Sequence, residues 1–166
     1  MTPGLLLAAL LMACVASPDG GGKSAAPATA APSLFDARRA AVRFPGGRTI
    51  AAEIADTPER VQHGYMFRTE VRESDGMIFV FAPAGEHSFW MKNTLVPLDI
   101  IWMDDSFTIV HIQPSTPPCT ADPCPSYGPP RKTSYVLEVR AGTAAREGLK
   151  TGARLGVVFP GEGGGA

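Results

Sequence analysis

A basic excess, a membrane-spanning apolar run and any recognisable catalytic signature are what this sequence of 166 residues lacks. Its 15 basic and 16 acidic residues leave a formal charge of −1, so no cationic stripe is available to condense on a phosphate backbone and nucleic acid is not an expected partner. The three histidines, His63, His87 and His111, lie in unrelated segments without H-x-x-x-H or H-E-x-x-H spacing. Without that spacing no pair of ligands shares a helix face, and neither a metal nor a cofactor is expected. None of Ser74, Ser88, Ser106, Ser115, Ser126 and Ser134 sits in a G-x-S-x-G turn, so no activated nucleophile is apparent. Gly20-Gly21-Gly22-Lys23 has no preceding strand and no following Ser or Thr in helical context, as a phosphate-cradling loop requires. Asp104-Asp105 reads as a solvated turn tip. No catalytic residue is assigned.

What is present begins with an address. Leu5 to Val15 is an apolar run too short to span a bilayer, and small residues follow it, as in a secretory signal over residues 1–15. Leu11-Met12-Ala13-Cys14 resembles a bacterial lipobox, which would make Cys14 the lipidated first residue of the mature protein. No Lys or Arg precedes Leu5, and Cys14-Val15-Ala16 before Ser17 also suits ordinary signal peptidase, so simple secretion is the alternative and a cytosolic chain with an apolar start the third reading. The expectation is an exported, periplasmic protein anchored to the outer membrane through its lipid, because Val15 stands where an inner-membrane retention signal has Asp. Residues 16–32 are almost all Ala, Gly, Pro, Ser and Thr and read as a disordered tether. Residues 33–160 form the expected globular domain, and 161–166 a loose tail.

Three cysteines would leave a spare thiol in an oxidising compartment unless one is used otherwise. Lipidation of Cys14 would account for it. Cys119 and Cys124, in P-P-C-T-A-D-P-C-P, are spaced compatibly with a disulfide closing a turn. A redox-active pair, which usually has two intervening residues, and half of a metal site remain the alternatives.

Within the domain, Ala40 to Phe44 and Thr49 to Ala55 read as strands around a Pro45-Gly46-Gly47 turn. Asp56-Thr57-Pro58-Glu59 predicts a helix start with Asp56 as cap, running to about Arg68 with Gly64 at a tight approach. Met77 to Phe81 predicts a central strand. His87 to Asn93, Leu98 to Met103 and Phe107 to Gln113 predict an antiparallel meander turning at Thr94–Pro97. Pro114 to Lys132 is a long Pro-rich loop, Tyr135 to Val139 a strand, Gly142 to Glu147 a short helix and Arg154 to Phe159 a last strand. The sum is an α+β domain, mostly β: a curled or barrel-like, antiparallel-rich sheet of about eight short strands with two short helices.

Four motifs in order, G-Y-M-F-R at Gly64–Arg68, G-M-I-F-V-F at Gly76–Phe81, F-W-M-K-N-T-L-V-P-L-D at Phe89–Asp99 and Y-V-L-E-V-R-A-G at Tyr135–Gly142, resemble the DUF192 family of uncharacterised bacterial and archaeal proteins. The resemblance covers about Ala40 to Phe159 and implies a compact strand-rich domain with no defined activity. It marks Arg68, Trp90, Lys92, Asn93, Thr94, Pro97, Asp99 and Glu138 as matching characteristic positions. The cysteine loop resembles a variant found in part of the family, and Tyr65 stands where an aliphatic residue is commoner.

Lys92, Asn93 and Asp99 flank a turn and can converge. As a site they could orient a polar ligand, extended by Arg68 or Glu138. As structure, Asn93 and Asp99 could satisfy backbone N–H groups, with Lys92 neutralising Asp99 or Glu138. Phe79, Phe89, Trp102 and Phe107 read as core, whereas Trp90 adjoins the polar cluster and shares a strand face with Lys92. The candidate ligand-binding residues are therefore Arg68, Trp90, Lys92, Asn93, Asp99 and Glu138. The expected function is an envelope accessory module that binds a small molecule or an envelope partner around the Trp90–Asp99 turn; the alternatives are an enzyme of unknown class acting on an envelope component and a purely structural interaction domain.

Overall fold

A computed structural model describes residues 38–161; the expected signal, lipobox Cys14, tether and most of the tail lie outside the described residues. β1 (Arg39–Arg43) and β2 (Thr49–Ala55) form a hairpin, turned at Gly47 with φ 94°, a conformation that glycine adopts without a Cβ penalty. α1 (Pro58–His63) then crosses to β3 (Asp75–Gly85), which lies parallel to β2. After β4 (Phe89–Trp90) come β5 (Leu98–Met103), β6 (Ile109–Thr116), β7 (Ser126–Tyr127), β8 (Thr133–Arg140), α2 (Thr143–Arg146) and β9 (Gly156–Val158).

Seven strands make one mixed sheet in the order β6-β5-β8-β3-β2-β1-β9, and β4 pairs with β7 in a separate ribbon. The large sheet is not closed by a ladder. Its edges approach through a single bridge, Thr108 with Arg154, flanked by backbone bonds from Ile109 N to Ala153 O and from Leu155 N to Phe107 O. The fold is α+β and mostly β, with the curl the sequence predicts and β3 at its centre.

Strand alternation divides the apolar residues between two cores. On the face covered by α2, Val42, Ile50, Ile54, Ile78, Ile101, Met103, Leu137 and Val139 pack with Ala144, Leu149 and Leu155. On the other face, the α1 side, where Val61 of the helix packs with Phe89 and Tyr127 of the β4–β7 ribbon, Tyr65, Met77, Phe79, Met91, Leu98, Ile100, Trp102 and Val136 form the second. β5 is buried along its whole length, since β6 and β8 flank it and both faces are covered.

Three expectations are corrected. The helix stops at His63, five residues before the predicted end, because Gly64 turns the chain at φ 47°. Its cap is Thr57, whose hydroxyl accepts from the Arg60 N–H at 3.3 Å; Asp56 instead pairs with Arg38 and lies 3.9 Å from Arg60. The meander is only the β5–β6 hairpin. β4 cannot join it because β8 occupies the other edge of β5 over six residue pairs; β4 instead takes β7, two residues inside the loop that was expected to hold no regular element.

Candidate functional site

The segment after α1 is held in an unusual backbone. Phe67 and Asn93 both have positive φ, 65° and 57°, and the Phe67 N–H donates to the Asn93 carbonyl at 2.8 Å. Two non-glycine residues in the left-handed region, locked to each other, are a strained arrangement that the surrounding packing must hold in place. Its result is a display of apolar side chains: Phe67 is 63% exposed, Leu95 54% and Trp90 50%.

Between α1 and this segment lies a cleft of about 410 Å³ lined by Glu59, Gln62, Met66, Trp90, Lys92 and Asn93. A smaller cavity of about 30 Å³ shares Gln62, His63, Met66 and Trp90 with it, and is walled further in by Gly64, Tyr65, Phe79, Phe89 and Glu138. Gly64 leaves room for it. A Cβ there would sit 3.5 Å from Phe79 Cζ and 3.9 Å from Glu138 Oε2, at a φ that side chains resist.

Glu138 lies on β8 opposite Ile100 and Met77, within the α1-face core, and is 4% exposed. Its Oε2 is buried without a hydrogen-bond partner, as is the hydroxyl of Tyr65, a residue that lines the same cavity. Burial pushes the Glu138 carboxyl up to about 8, so at neutral pH it is mainly a neutral acid able to donate. The Tyr65 hydroxyl is also pushed up, by burial first and then by Glu138. An unpaired buried acid costs roughly 1–3 kcal/mol.

Asp99 is the opposite case. It is fully buried on the α2 face, and its carboxylate accepts from the Ser115 N–H at 2.7 Å, the Gly142 N–H at 3.1 Å and the Ala144 N–H at 2.7 Å. Ser115 stands in the bulge where the β5–β6 register shifts, and Gly142 precedes α2 at φ 83°. Asp99 therefore ties an edge-strand bulge to the start of a helix, which is the backbone-satisfying role, with different partners from the local turn.

The remaining predicted residues separate likewise. Arg68 makes a two-point ion pair with Glu53, at 2.8 and 2.6 Å, and lies over the Tyr65 ring. That pair holds the Glu53 carboxyl below its ordinary value, chiefly through the Arg68 hydrogen bonds. Lys92 neutralises neither Asp99 nor Glu138; its Nζ is 3.9 Å from Asp122 and 5.6 Å from the centre of the Trp90 ring. Asn93 reaches Met66 Sδ at 3.9 Å. The structure thus brings Trp90, Lys92 and Asn93 to the cleft and Glu138 to the cavity beneath it, while Arg68 and Asp99 are engaged elsewhere. Glu59, Gln62, His63, Tyr65 and Met66 were not singled out from sequence as site residues; only Gly64, out of place inside a helix, hinted at them. Cys119 and Cys124 form a disulfide, and Cys119 packs beside the α1-face core.

Among the described residues, no group of three or more His, Cys, Asp or Glu side chains could hold a metal ion, and no helix is long and apolar enough to cross a membrane.

Known proteins add kinship without an activity. No curated protein matches the chain. Solved structures resemble it, among them the following two. A Novosphingobium aromaticivorans protein of unknown function is 32% identical, with a TM-score of 0.66 over 82% of this chain and 99% of its own. A Sinorhizobium meliloti protein provisionally described as a transcription regulator is 31% identical, with a TM-score of 0.62 over 72% and 92%. The profile of DUF192, described as "Uncharacterized ACR", matches residues 41–157, and the chain belongs to that family.

Proposed function

We propose that this protein is a ligand-binding module whose site is the cleft under Trp90, with Glu138 at its inner end. One observation carries the reading: a carboxyl that the fold leaves unpaired lies at the bottom of a cavity opening beside a half-exposed tryptophan. A fold with no use for that carboxyl would do better with an apolar residue there. The strained Phe67–Asn93 pair at the rim supports the same place. The regulator description belongs to the Sinorhizobium protein; in this chain 15 basic against 16 acidic residues supply no phosphate-binding excess.

The setting we propose is the cell envelope, with the domain tethered through Cys14. The apolar run at Leu5–Val15 supports export, as does the Cys119–Cys124 disulfide, a bond that persists in oxidising compartments. Mass spectrometry of membrane-extracted protein would find an acylated Cys14; an unmodified N-terminus at Ser17 would end the tether.

The two indole N–H signals test the binding reading. Trp102 is buried, with its Nε1 donating to the His87 carbonyl at 2.7 Å, and acts as the internal control. Small-molecule fragments that bind should shift the Trp90 indole signal and leave that of Trp102 in place, and their affinity measured by calorimetry should fall in Trp90→Ala. Binders that move other regions only would refute the site. An enzyme remains the second reading, because an acid near 8 beneath a cleft is suited to proton transfer; consumption of a bound fragment, not affinity, would distinguish it.

A further inference from the structure

We infer that the cavity beneath Trp90 takes the ammonium group of a primary amine, paired with the Glu138 carboxylate, while the amine's stem leaves along the cleft. The inference rests on the binding reading above and names its ligand class.

Charge, lining and size each point there. The cavity holds one carboxyl whose Oε2 has no hydrogen-bond partner, and no basic Lys or Arg side chain borders it. Four of its walls are aromatic, Tyr65, Phe79, Phe89 and Trp90, and aromatic rings stabilise cations electrostatically as well as by contact. The protein already places cations against two of these rings: Lys92 Nζ lies 5.6 Å from the Trp90 centroid, and the Arg68 guanidinium 5.0 Å from that of Tyr65. At about 30 Å³ the space suits a group the size of a water or an ammonium better than a trimethylammonium. The outer cleft, at about 410 Å³, has room for a stem beside Met66 and Trp90, and carries one charge of each sign, Glu59 and Lys92. An anion would meet the Glu138 carboxyl with no Lys or Arg in the cavity lining to offset it.

Binding would be coupled to proton release. The free carboxyl is held protonated by burial, and the ammonium must displace that proton to form the pair. Other titratable groups facing the cavity are His63 and Tyr65; the Glu53–Arg68 pair stands behind Tyr65, and Glu59 and Lys92 stand at the mouth.

The test uses a series sharing one butyl stem and differing in the charge or bulk of the head group, on the intact protein, read by the Trp90 indole signal: butylamine, butyltrimethylammonium, 1-butanol and butyrate. We expect butylamine to bind at least tenfold more tightly than the other three. Its affinity should rise at least tenfold from pH 6 to pH 8, and Glu138→Gln, which keeps the shape and loses the charge, should cost at least tenfold. Equal or tighter binding of the quaternary amine, or butylamine binding indifferent to both pH and Glu138→Gln, overturns the inference. If butanol or butyrate is preferred and still moves Trp90, the amine fails and the binding site stands. If no member of the series moves Trp90, and neutral and anionic fragments fail equally, both fall.

Discussion

Asp99 and Glu138 are two buried carboxyls on neighbouring strands, set against adjacent rungs of the β5–β8 ladder and facing opposite sides of the sheet. Both stand at positions where the sequence resembles its family. Asp99 accepts three backbone hydrogen bonds, whereas Glu138 leaves Oε2 without a partner beside a cavity. Burial and motif membership are thus shared by a residue that builds the fold and one that burdens it. Hydrogen-bond satisfaction distinguishes them, and it is the better guide to where a ligand belongs.

The comparison can be broken most forcefully at Asp99. Asp99→Ala leaves the N–H groups of Ser115, Gly142 and Ala144 without their acceptor, and should cost roughly 3–5 kcal/mol in urea unfolding. A loss near zero would remove the clasp. Next comes pH. The folded protein holds the Glu138 proton up to about 8, whereas the unfolded chain releases it at an ordinary carboxyl value. The stabilisation from this group is complete below the unfolded value and is lost as pH rises through about 8. The unfolding free energy from urea melts should therefore fall between about pH 5 and 8, by on the order of 3 kcal/mol, and Glu138→Gln should flatten that slope. Glu53, held low by Arg68, acts in the opposite sense and at lower pH, so it does not mask the window.

Smaller effects sharpen the contrast. Reducing the Cys119–Cys124 bond, a sequence separation of 5, should cost about 2 kcal/mol by loop-closure entropy, without changing the Trp90 indole signal's response to fragments. Lys92→Ala removes a 3.9 Å contact to an Asp122 side chain that is 85% exposed and a 5.6 Å approach to the half-exposed Trp90 ring, and should change stability by less than about 1 kcal/mol. A large loss there would mean that the rim is structural after all.

The strand content was legible because alternation carries it: Ile50, Ala52 and Ile54 share one face of β2, which places Glu53 on the other with Arg68. The apolar run at Met77–Phe81 likewise announced the central strand. Pairing was less legible. Nothing local says that Phe89–Trp90 joins Ser126–Tyr127, since two residues carry no period. The candidate site divided for the same reason. Asp99 finds its partners 16, 43 and 45 residues away, so the sequence could place it beside a turn and could not reveal that its work lies on the far face. Glu138 was legible as a matching position in a strand. Its lack of a partner was not, because that depends on how Gly64, Tyr65 and Phe79 close over it.

The most direct test of the account is the stability of Glu138→Met at pH 7, with folding checked by the unchanged Trp102 indole signal. Methionine fills similar space without a polar group to leave unpaired, so the account predicts a gain of about 1 kcal/mol or more together with loss of ligand response at Trp90. A loss of about 2 kcal/mol or more would show that Glu138 supports the fold as Asp99 does, and would contradict the division between them.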